Sequence, residues 1–168
     1  MKKYDTRMIN ILGALIAIEI LLSRFLSISA WNVKIGFSFV PIAVAAILFG
    51  AVPAGIVAAA ADFMGAILFP IGTYFPGFTL TAFLTGATFG LCFGKRQTTG
   101  RILAAVTINQ LVLGLLLNTF WISILYGSPF VPLMMTRAVQ CAVLGPVQVL
   151  TISCLSNILY SYGRKVLA

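Results

Sequence analysis

The side chains of this chain that can do chemistry are few, and they stand out against apolar surroundings. Asp62 lies inside a run of alanine and glycine. A carboxylate costs free energy to bury there, so an ionisable group in such a run points to function. Two roles are open to it: accepting hydrogen bonds from the donor edge of a heterocycle, or forming an internal pair with a basic residue or a helix cap. Arg24, Lys34 and Arg137 are cations set close to apolar segments. They suit an anionic ligand, or they anchor helix ends by reaching towards the interface. Glu19 precedes Arg24 by five residues, a poor spacing for a pair along one helix. A structural pair with another helix is therefore its expected role.

A second group is aromatic and amide in character. The stretch from Phe69 to Phe78 reads FPIGTYFPGF. Tyr74, Phe75 and Phe78 can lay rings over a flat ligand, while proline and glycine limit how much backbone must be ordered. Trp31, Phe37, Phe39, Trp121, Tyr126 and Phe130 are expected nearby, and an interfacial aromatic belt is the competing explanation for all of them. Of the amides in apolar segments, Asn118 and Gln140 are expected at the ligand. Asn109, Gln110 and Gln148 are expected to join helices by hydrogen bonds.

These residues need elements to hold them, and composition says which kind. Hydrophobic residues make up 61% of the 168 residues and charged ones 8%, against about a quarter charged in a soluble domain. Such a chain has too little polar surface to stay dissolved, and no linker divides it, so residues 1–168 are read as one transmembrane domain. A spanning helix needs about 20 mostly apolar residues. Six candidates follow: Thr6 to Ser27, a short one from Phe39 to Gly50, Ala54 to Phe69, Thr79 to Gly94, Arg101 to Leu125, and Leu133 to Tyr162. Pro41 is tolerated in a first turn, the GAVP stretch from Gly50 to Pro53 reads as a tight turn, and Pro146 is expected to kink the last helix. The expected fold is an all-α, six-helix integral membrane bundle.

Orientation follows from Lys and Arg. Lys2, Lys3, Arg7, Lys95, Arg96, Arg101, Arg164 and Lys165 fall on one side, leaving Arg24, Lys34 and Arg137 on the other. Both termini are expected in the cytoplasm. The three outward cations oppose the bias, which strengthens the anionic-ligand reading for that end of the bundle.

Several function classes are disfavoured. The chain has no His and three scattered cysteines, Cys92, Cys141 and Cys154. That leaves no plausible zinc or haem ligand set and argues against a disulfide framework. No cofactor is expected. No GxxxxGK[ST] phosphate loop, nucleophile elbow or acid pair occurs, so neither ATP hydrolysis by a P-loop nor another enzymatic activity is expected. The charge of +8 sits mostly at helix ends, which serves membrane topology rather than nucleic acid. The N-terminal stretch imitates a signal peptide, but Glu19 and Arg24 interrupt it. Inverted repeats of larger transporters are not evident.

In its motifs the chain resembles the substrate-specific S component of an energy-coupling factor (ECF) vitamin transporter. FSFVP, from Phe37 to Pro41, looks like the start of that family's second helix. GTYFPGFT, from Gly72 to Thr79, with Ala61 and Asp62 before it and Thr136 and Arg137 after Trp121, resembles the folate-specific type. The resemblance implies a bacterial cell-membrane protein that captures folate outside with high affinity. It implies docking on a membrane coupling subunit driven by two ATPase subunits, and toppling in the bilayer to release folate inward. Gly13 and Ala17, small residues at a spacing that permits close helix contact, would carry the docking face. The family motif has alanine at both places, and glycine at the first changes little sterically. Folate would stack its rings on the aromatic loop, offer its pterin N–H edge to Asp62, and have its glutamate carboxylates neutralised by Arg24, Lys34 or Arg137. Another flat vitamin (riboflavin, thiamine or a pterin precursor) and a non-transporting membrane assembly subunit are the alternatives. Three outward cations suit a cationic vitamin poorly.

Overall fold

A computed structural model describes residues 6–30, 33–70, 72–93 and 98–166, with the side chains of 28–30, 33–35 and 160–166 outside the description. Trp31, Lys2, Lys3, Lys95 and Arg96 therefore lie outside the described residues, as do the side chains of Lys34, Arg164 and Lys165. Helix α1 spans Thr6–Arg24, and the antiparallel strands β1 (Ile28–Ala30) and β2 (Val33–Ile35) follow it. Next come α2 (Phe39–Phe49), α3 (Ala51–Leu68) and α4 (Pro76–Phe93). A continuous helical rod then runs Thr99–Tyr126. Its ends are α5 (Thr99–Thr107) and α6 (Asn118–Tyr126), and its middle, Ile108–Leu117, is π-helical. Helix α7, Phe130–Val166, closes the bundle and contains Pro146. The apolar mass is helical as expected, and the hairpin is a small addition that packs through β2 against α7.

Among the described residues, five helices are long and apolar enough to cross a membrane, and Phe39–Phe49 is a shorter apolar one. Their outer faces carry large apolar side chains, with Leu91 76% and Leu150 72% exposed. Water would penalise such a surface and lipid would not. All three cysteines are free, Cys92 and Cys141 half-buried and Cys154 exposed.

Helices α3, α4, α5 and α7 start a few residues earlier than expected, and three of them for one reason. Proline lacks an N–H, but the first helical turn needs none, and its fixed φ suits that turn. Pro53, Pro76 and Pro132 all lie in first turns, so each break expected at a proline falls before it. The turn between α2 and α3 is a single residue. Gly50, at φ 90°, takes a left-handed conformation that only glycine adopts freely. Its N–H donates to the Ala46 carbonyl at 3.1 Å, and its carbonyl accepts from Ala54 at 3.2 Å.

That abrupt turn brings the alanine-rich α3 against α4, the most extensive helix contact in the bundle. A Cβ at Gly86 would strike the Ala54 backbone, one at Gly90 the Ala51 backbone, and one at Gly55 would come 2.8 Å from the Phe83 ring. Small residues allow such contact, and dispersion between closely packed surfaces is what joins helices in lipid. The core gathers at this end of the bundle: Ala46, Ala54 and Ala58 with Phe89, Phe93, Ile102, Ala105 and Ile152. Because backbone cannot yield as a side chain can, Gly86→Val should lower the apparent unfolding midpoint in detergent by about 5–10 °C. Gly100→Ala, which meets nothing within 4 Å, should leave it unchanged or raised.

Candidate ligand cavity

At the opposite end, where α1 and α3 finish and α2, α4 and α7 begin, the helices part around a cavity of about 440 Å³. This is the size range of a small-molecule site. Arg24, Asp62, Phe78, Asn118, Arg137 and Gln140 all line it, which unites residues from five helices far apart in sequence. Tyr74, Phe75 and Trp121 are not among its lining residues. They stand behind it and support it. Lys34 is in β2, with its side chain outside the described residues.

Each charged residue is placed by a specific local feature. Arg24 ends α1 and lays its guanidinium across α3 at Gly65, where a Cβ would sit 2.9 Å from its Nε. Gly65 is one turn beyond Asp62, so the glycine leaves room for the guanidinium in this position, and a larger residue would make it shift. Arg24 Nε and Asn118 Oδ1 are buried with no protein hydrogen-bond partner among the described residues. Such atoms usually have a reason in native proteins, and a ligand can satisfy them. Arg137, only 9% exposed, comes from α7. Asp62 accepts a hydrogen bond from the Thr79 hydroxyl at 2.9 Å.

The aromatic group forms the wall behind Phe78. Phe75 lies 5.4 Å from Trp121 and 6.1 Å from Phe78, centroid to centroid, within the range of favourable ring pairs. Trp121 Nε1 donates to Thr81 Oγ1 at 3.1 Å, and Thr81 donates to the Gly77 carbonyl at 2.9 Å. A Cβ at Gly77 would stand 2.7 Å from the indole. The glycine thus lets Trp121 lie on the first turn of α4.

Three residues expected to join helices also line the cavity. Glu19 is buried and lines the cavity, and the half-buried Gln110 and Gln148 line it too. Asn109 does join helices, donating to the Thr85 carbonyl at 3.4 Å. Gln110, Gly114 and Asn118 recur every fourth residue along the π stretch and its exit, so one side of the rod faces the cavity. Wider helical turns of this kind are rare and often found at functional sites. Nothing in the local sequence announces one. The spacing of Gln110 and Asn118 is the available signal.

The chemistry of the cavity is mixed. Its guanidiniums (Arg24, Arg137) and carboxylates (Glu19, Asp62) balance in formal charge, which limits the cost of placing them together inside the bundle. The arrangement suits a ligand that brings carboxylates for the guanidiniums, N–H donors for a carboxylate and a flat ring for Phe78. Nothing in it resembles a nucleophile with its base.

Comparison with known proteins identifies the family. Residues 7–161 match the family model of the ECF transporter, substrate-specific component, and the chain belongs to that family. It is therefore a membrane-embedded binding and transport subunit, not an enzyme. Among its relatives, the folate transporter FolT of Clostridium novyi (strain NT) is 41% identical over 139 residues, covering 82% of this chain and 81% of that one. FolT of Leuconostoc mesenteroides subsp. mesenteroides is 28% identical over 171 residues, covering 97% and 92%. A crystal structure of FolT bound with folic acid superposes with a TM-score of 0.87 at 35% identity, covering 91% of this chain and 94% of that one.

Removing the indole donor while keeping a ring, Trp121→Phe, should cost about 1 kcal/mol of stability. Thermal unfolding of Trp121→Phe, Thr81→Ala and the double variant checks this. The double variant should lose little more than the worse single one, because both break the same bond.

Proposed function

We propose that this chain is the folate-capture subunit of an ECF importer. The observation that carries the reading is the cavity itself, which places Arg24 and Arg137 together with Asp62 and Phe78 in a chain 41% identical to a folate transporter. Folate has a flat pterin, a benzoyl ring and a glutamate with two carboxylates. The pterin packs on Phe78 and directs its paired N–H donors to Asp62. The glutamate carboxylates meet Arg24 and Arg137, where guanidinium can bind them in a bidentate manner. Asn118 and Gln140 complete the polar lining, and Lys34 supplies further positive charge from the hairpin. Tyr74, Phe75 and Trp121 act from behind, holding Asp62 and Phe78 in place.

In this reading the short α2 counts as a sixth span, both termini lie in the cytoplasm, and the cavity opens outward. The ATP-driven step belongs to partners: a membrane coupling subunit and two ATPase subunits, met through α1. On that helix Gly13 and Ala17 are exposed, and nothing lies within 4 Å of a Cβ at Gly13. This leaves a shallow strip on which another helix can pack closely.

The direct test is equilibrium titration of the ligand-stripped, detergent-purified protein with folate, followed by quenching of tryptophan fluorescence. Saturable binding in the nanomolar range is expected; no binding by correctly folded protein would overturn the folate assignment. Arg137→Ala should weaken folate binding by at least about ten-fold, since it removes one partner of a buried charged contact. Unchanged affinity would take Arg137 out of the site. Gly13→Trp should leave binding to the isolated protein intact and abolish uptake by the assembled transporter, and normal uptake would exclude the docking role of α1.

A further inference from the structure

The threonines of α4 do not all behave alike. Thr81, Thr85 and Thr88 each donate to the carbonyl four residues earlier in their own helix, at 2.8–2.9 Å. This is the ordinary local bond of a helical threonine. Thr79 instead turns to another helix and donates to Asp62 Oδ2 at 2.9 Å. The Tyr74 hydroxyl lies 3.2 Å from the same Thr79 oxygen. A hydroxyl has one hydrogen. With that of Thr79 given to the carboxylate, Tyr74 must be the donor in the second bond. The result is a directed chain, Tyr74 to Thr79 to Asp62, in which each bond polarises the next.

An ionised carboxylate accepts at about four lone-pair sites. The Thr79 bond occupies one of them and restrains rotation of the carboxylate plane, leaving other sites for a ligand. Two parallel N–H donors on a flat heterocycle can be met only if that plane is held. Resting on the folate reading, we propose that Thr79 is a positioning residue. It sets the orientation in which Asp62 receives the heterocycle, and Tyr74 ties that orientation to the segment before α4. Thr79 touches no reacting or bound atom in this account, and it acts only through Asp62. A purely structural role, joining α3 to α4, would instead change stability and would persist when Asp62 is altered.

The test is a double-mutant cycle. Folate affinity is measured for wild type, Thr79→Val, Thr79→Ser, Asp62→Asn and the Thr79→Val/Asp62→Asn pair. Thr79→Val should weaken binding about ten-fold, the scale of one hydrogen bond to a charged group, while Thr79→Ser should restore it. On the Asp62→Asn background Thr79→Val should cost nothing further. Should Thr79→Val fail to fold, Tyr74→Phe gives the same reading: weaker binding in wild type and no effect beside Asp62→Asn. Wild-type affinity in Thr79→Val, or losses that add, would overturn the positioning role alone. A wild-type protein that does not bind folate would overturn the folate reading and this inference with it.

Discussion

Charge inside a low-dielectric bundle is the constraint on which this structure depends. Arg24, Arg137, Glu19 and Asp62 gather in one cavity, and an isolated charge in hydrocarbon is strongly disfavoured. The bundle meets the constraint by concentrating both signs at one end, where the helices diverge. The other end is built of alanine, glycine and stacked phenylalanines, with Phe89 and Phe93 5.4 Å apart. The charged end thus rests on a closely packed base. Its polar groups are held by hydrogen bonds and steric fit, and a ligand with complementary groups can satisfy those that the protein leaves open.

Helices α3 and α4 form the platform. Gly86 and Gly90 bring their backbones together, which fixes Asp62 opposite Thr79 and Phe78 opposite the rod that carries Asn118. Small residues act twice here. In the packed half they permit contact. In the cavity half, Gly65 and Gly77 make room for a guanidinium and an indole that a Cβ there would displace. The same residue type that joins the helices therefore also positions the functional side chains.

Much of this was legible in the sequence, for physical reasons. Asp62 and Arg137 were conspicuous because charge in an apolar span is costly, and both line the cavity. Asn118 and Gln140 stand out by depth along their helices, and both line the cavity. That Gln110, Gln148 and Glu19 also line the cavity is not legible in the sequence, because the face they present depends on how the rods pack, and near Ile108–Leu117 on a π-helical stretch that local composition does not signal. Tyr74, Phe75 and Trp121 were recognisable as an aromatic group, but composition cannot separate rings that line a cavity from rings that brace it. Helix starts were missed at Pro53, Pro76 and Pro132 because proline both breaks a preceding helix and begins a new one. Gly65 carried no signal of its own, since its importance comes from an arginine 41 positions away (65 − 24).

Folate in this cavity would satisfy groups that the protein alone leaves open. A ligand that binds only the folded state stabilises it, by about 2.7 kcal/mol at a free concentration one hundred times its Kd. The most direct measurement is therefore the apparent thermal unfolding midpoint of the purified protein as folate is added, with thiamine as a comparison. The midpoint should rise with the logarithm of folate concentration and should not rise with thiamine. A midpoint indifferent to saturating folate, or one raised equally by thiamine, would contradict folate as the ligand.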